Sequence, residues 1–155
     1  MKWKIPPPIK IYEALGAIGD DRIRMDGDQA KVYSSSGQKF YSVTFDPDQM
    51  AIMTNDNGSY WQGYLGYPAI AFLCLKGIIH YDTALADALA GIAWKDINVR
   101  FKNDFAKTEA LIHGQLSSAG WDVAAVRDMV RQILSQIEKL SFNHLGQKTK
   151  PPTGY

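Results

Sequence analysis

Apolar positions along the chain change their period several times, and each change marks a change of element. After three consecutive prolines, Pro6 to Pro8, which lack N–H donors and favour an extended path, Ile9, Tyr12, Leu15 and Ile18 recur at helical spacing. Gly19 and Asp20 stop that helix. From Arg22 the period drops to two: "RIRMD", "QAKVYS", "KFYSVTF" and "QMAIMT" read as strands, separated by Gly27-Asp28, Ser36-Gly37 and Asp46-Pro47-Asp48. Asp56-Asn57-Gly58 carries the residue types of a tight hairpin, which places Tyr60 and Trp61 at the opening of a fifth strand. The pattern predicts an antiparallel meander of four or five short strands with one face to be covered.

The cover follows. Ala69 to Leu75 are apolar on every side behind Pro68, the mark of a buried helix, and Gly77 ends it. Asp82 or Thr83 caps a short helix through Leu89, with Gly91 at its end. A long helix is predicted from about 95 to 119, with Ile97, Phe101, Phe105, Thr108 and Ile112 on one stripe and Gly120 as its stop. Asp122 caps the last helix, where Trp121 and Val126 suit a hydrophobic staple. Val123, Val126, Val130, Ile133, Ile137 and Leu140 then repeat in steps of three and four.

The expected fold is α+β: a small antiparallel β-meander covered by helices, with a C-terminal antiparallel helical hairpin. Residues 1–8 form an extended lead-in and residues 9–145 a single domain. Within it, 9–79 hold the first helix, the meander and the buried helix, and 82–143 the helical part. Residues 146–155 are expected to be a disordered tail.

Composition adds exclusions. At 155 residues, 46% hydrophobic and 21% charged, the chain reads as one ordinary globular domain. Its single cysteine, Cys74, allows no internal disulfide. The lysines of "MKWKIPPPIK" have no apolar stretch behind them, and the run Ala69 to Leu75 is too short to cross a bilayer, so no signal peptide and no membrane partner are expected and the compartment is read as cytoplasmic. The net charge of +1 argues against a surface built wholly for phosphate backbones, although residues 95–155 hold 9 Lys/Arg against 6 Asp/Glu.

Catalytic and metal patterns are thin. His80, His113 and His144 lie far apart, and His80, Tyr81 and Asp82 form the one tight cluster of proton-moving groups, with capping a sufficient role for Asp82. Asp46 and Asp48 lack the downstream Glu of a calcium loop, and Cys74 sits among apolar residues. Neither an enzyme, a cofactor nor a metal is expected. Two features are left as interaction surfaces. Tyr60, Trp61, Tyr64 and Tyr67 crowd a Gly-rich segment, and exposed rings of this kind can stack bases or sugars, yet no Lys or Arg stands between Lys39 and Lys76 to form a basic groove. On the last helix Met129 and Leu134, beside Ile137, widen the apolar stripe beyond what one partner helix covers, so that either the sheet of the same chain or the equivalent helix of a second chain, in a homodimer, buries the remainder.

Residues 39–76, with the strands "KFYSVTF" and "QMAIMT", an Asp-Asn-Gly turn and Gly-Tyr-Pro opening an apolar helix, resemble the ββα layout of SWIM-type zinc fingers. That family holds zinc by Cys-x-Cys on a strand and Cys-x-His at the helix start. Here Ala51, Ile52, Met53, Ala69 and Ala71 stand in those regions, so the resemblance carries no metal with it. The segment 85–101 resembles a helix-turn-helix, with Gly91-Ile92 at the turn and Lys95, Asn98, Arg100 and Lys102 as the residues to meet DNA. The general look is similar to small uncharacterised archaeal proteins. The reading at this level is a non-enzymatic interaction or assembly module that dimerises through its C-terminal helices, with a protein partner open, and a DNA-binding regulator as the alternative.

Overall fold

Six α-helices and one five-stranded sheet are built by residues 1–153, the residues that the computed structural model describes. Helix α1 (Ile9–Gly19) follows the predicted period and is almost wholly buried, because α2, α3, α5 and α6 all pack on it. Strands β1 (Ile23–Asp26), β2 (Gln29–Tyr33), β3 (Phe40–Asp46) and β4 (Ala51–Thr54) pair antiparallel in chain order. Tyr41, Val43 and Phe45 alternate inward along β3, as a strand with one covered face requires. Helix α2 (Tyr67–Leu75) lies against that face, with Phe72 edge-on to Phe45.

The fifth strand is elsewhere than expected. Residues Gly58–Gln62 wind one π-helical turn, since the Asp56 carboxylate accepts both the N–H and the hydroxyl of Ser59 and so opens a helical turn where a hairpin was expected. Strand β5 is Asn143–His144, and it runs parallel to β4. The lead-in is stitched to the same edge. The Trp3 indole N–H donates to the Ile52 carbonyl at 2.8 Å, its backbone N–H donates to Phe142, and its ring stacks on His144 at 3.8 Å.

The predicted long helix is two. After α3 (Thr83–Ala88), capped by Asp82, come α4 (Trp94–Arg100) and α5 (Phe105–Ser118). Between them Lys102 and Asn103 take φ of 53° and 60°, Asn103 N–H returns to the Asn98 carbonyl, and Asp104 caps α5. Helix α6 (Val123–Leu140) starts where Asp122 accepts the Ala124 N–H, buries Val126, Val130, Ile133 and Ile137, and touches both α1 and α5. Of the expected tail, Pro151 is buried and Lys148 reaches the Tyr60 carbonyl; Gly154 and Tyr155 lie outside the described residues.

Candidate functional site

Helix α1 carries two charges, Lys10 and Glu13, one turn apart on a face that points away from the apolar stripe and into a cavity of about 290 Å³. Glu13 is only 3% exposed, yet both its oxygens are bound: Oε2 to Lys10 Nζ at 2.8 Å and Oε1 to Asn98 Nδ2 at 2.7 Å. The Lys10 ammonium, its pKa depressed by burial but raised more by Glu13 and Tyr64, sits above its ordinary value and stays protonated.

The opposite wall is the start of the π-helical turn. Asp56, 5% exposed, takes hydrogen bonds from Ser59 N–H, Ser59 Oγ and Thr54 Oγ1. Burial pushes its carboxyl up, against the pull of those hydrogen bonds and of Lys10. Gly66 makes this packing possible, since a Cβ there would run into the Asp56 carboxylate, and its N–H donates to Ser59 Oγ at 3.0 Å.

The end of the β2–β3 hairpin supplies Ser34, Ser35, Lys39 and Tyr41, and α2 supplies Tyr67 at its first turn, edge-on to Tyr41. Burial raises the Tyr67 hydroxyl above the usual phenol range, opposed by the Arg22 guanidinium beside it. Arg22 is held by Asp20 through Nε at 3.0 Å and by the Tyr33 carbonyl through Nη1 at 2.6 Å. Helix α4 closes the cavity. Lys95 N–H donates to Ser35 Oγ at 3.2 Å, Asn98 holds Glu13, and the Trp94 indole lies over Gly16, where a Cβ would come within 2.7 Å of Nε1.

Among the described residues four buried side-chain polar atoms have no hydrogen-bond partner, and three of them, Arg22 Nη2, Trp94 Nε1 and Asn98 Oδ1, belong to residues that line this one cavity. Because Glu13 can only accept, Asn98 must turn its amide N–H₂ toward it, which leaves Oδ1 as the orphan acceptor. Orphaned buried polar atoms cost roughly 1–3 kcal/mol each, so their concentration at one place calls for a reason. The lining holds four basic side chains, Lys10, Arg22, Lys39 and Lys95, against two carboxylates, Glu13 and Asp56.

Residues 3–143 match the family described as uncharacterised conserved protein UCP014422. The chain belongs to that family. The matched span includes every residue that lines the cavity. No curated protein and no solved structure matches the chain.

Of the residues singled out from sequence, the aromatic segment divides. Tyr67 lines the cavity, Tyr64 turns to Lys10 and Asp56, and Tyr60 and Trp61 stand outside on the π-helical turn. Lys95 and Asn98 line the cavity as well, while Arg100 and Lys102 are exposed, so α4 does not offer the four as one outward face. On α6, Ile137 is buried, and Met129 and Leu134 are half-buried against the core of the same chain. His80 is exposed and Asp82 caps α3. No cluster of His, Cys, Asp or Glu able to hold a metal occurs among the described residues, nor any helix long and apolar enough to cross a membrane.

Lys10, Glu13 and Arg22 were not singled out from the sequence, and Asp56 was expected only as a turn residue. One signal was present: Lys10 and Glu13 are the only charges in an otherwise apolar helix, at a spacing that pairs them on one face. Arg22 and Asp56 carry no such mark, since their partners are distant in the chain.

Proposed function

We propose that this protein binds a small anionic molecule in the cavity between α1, the β2–β3 hairpin end and α4. The observation that carries this reading is that three residues with an unpartnered buried polar atom, Arg22, Trp94 and Asn98, line one cavity. A carboxylate or phosphate group satisfies Arg22, for which a planar guanidinium is well suited, and a hydroxyl or amine elsewhere on the same molecule satisfies Asn98. The basic excess of the lining sets the sign of the ligand's charge, and the rings of Tyr41 and Tyr67 favour a ligand with an apolar or planar side. At about 290 Å³ the space suits a metabolite and excludes a peptide or a duplex.

The test is thermal unfolding in the presence of inorganic phosphate, malonate, a nucleoside monophosphate and their uncharged analogues. A ligand that binds only the folded state, at about a hundred times its Kd, adds roughly 2.7 kcal/mol to stability. We expect one of the anions to raise Tm, and the shift to vanish in Arg22→Gln and shrink in Lys39→Gln, a variant at the rim. No shift with any anion, or equal shifts with the uncharged analogues, contradicts the reading.

A further inference from the structure

We propose that the surface around Trp61 binds single-stranded nucleic acid, independently of the cavity. The sequence offers these rings no basic neighbour; the fold brings the neighbours from the two ends of the chain. Lys148 Nζ donates to the Tyr60 carbonyl at 3.4 Å, and Lys4 is bonded through its backbone to Gly63 and Leu65, with its stem beside Gly63. Lys2 lies two residues before Lys4 in an extended segment whose Trp3 points into the core, so both lysines project to the solvent side. Lys2 Nζ rests on the Ser141 carbonyl at 3.0 Å.

Trp61 is 64% exposed, more than any other aromatic side chain among the described residues. Tyr60 and Trp61 meet in an edge-to-face arrangement, with ring centroids 4.7 Å apart and planes at 85°. An exposed indole two residues from Gly63, where the Lys148 ammonium and the Lys4 stem lie, is complementary to an unpaired base and its phosphates. A duplex keeps its base faces stacked inside and would meet only the lysines, so the single strand is the better fit.

The experiment is fluorescence anisotropy of a labelled oligothymidylate of about 12 nucleotides, inside the usual single-strand site range. It is compared with a duplex of the same length and with phosphatidylglycerol vesicles. Two lysines, Lys4 and Lys148, predict that log K falls against log salt with a slope of about −1.4. Trp61→Ala, which removes an exposed side chain and leaves the core intact, should weaken binding at least about fivefold, and Lys4→Gln with Lys148→Gln should flatten the salt slope by more than half. Arg22→Gln should leave it unchanged. Absence of binding at low salt overturns the proposal. So does a duplex bound equally well with no effect of Trp61→Ala, and so does a preference for the vesicles over the oligonucleotide.

Discussion

At the scale of single residues, close packing around ionisable groups makes sharp demands. Gly66 leaves room for the buried Asp56 carboxylate, and Gly66→Ala forces a methyl group against it. The expected loss is roughly 1–3 kcal/mol in urea denaturation. Cys74 is buried among apolar neighbours, and burial alone pushes its thiol up to about 12. Iodoacetamide should therefore leave the folded protein unmodified near neutral pH and react once urea unfolds it. His113 bonds Tyr12 at 2.7 Å inside the α1–α5 contact, and burial, more than the opposed influences of Glu109 and Arg127, lowers its pKa below 6.5. The unfolded chain then takes up a proton near pH 6.5 that the folded chain still refuses. Stability should be fully present above that pH and fall as pH drops below it. His144, lowered for the same first reason, adds to the fall. In His113→Gln the dependence of the urea midpoint on pH between 7 and 5 should be shallower than in the parent; an unaltered slope would show that His113 does not contribute.

At the scale of elements, the local signals in the sequence decide more than the long-range ones. The α1 stripe, the alternation in β3 and the caps Asp82 and Asp122 are all properties of neighbours in the chain, and they stand where the pattern put them. The break between α4 and α5 was hidden because Ile97, Phe101, Phe105 and Thr108 keep helical period across it, while the left-handed Lys102 gives no sign in its residue type. The strand β5 was hidden for another reason: a two-residue strand has no period, and its place is set by Trp3 and β4, far away in the chain. The cavity inherits this difficulty, since Arg22, Asp56 and Asn98 meet only after folding. The energies separate in the same way. Asp122→Ala removes one helix cap and should cost about 1 kcal/mol. Trp3→Ala removes the buried ring and the hydrogen bond that hold the lead-in and β5 on the sheet edge, and should cost roughly 3–5 kcal/mol by the same denaturant measurement.

At the scale of the whole molecule, the α+β fold places its apolar surface inside and gathers polar strain at one cavity. Helix α6 contributes none of the exposed large hydrophobic side chains, and Met129 and Leu134 pack in part against the core of the same chain. The aromatic segment serves two sides: Tyr64 and Tyr67 face the buried charges, and Tyr60 and Trp61 face solvent beside lysines from both termini. We propose that a ligand is held in this cavity, between α1 and α4. The most direct measurement is a ¹⁵N-resolved NMR titration of the full chain with the anion that raises Tm most. The Arg22 side chain, the Trp94 indole N–H and the amides of Ser35 and Lys95 should shift together along one saturating curve. Shifts absent from that set, or confined to Lys4, Trp61 and Lys148, would contradict the proposal.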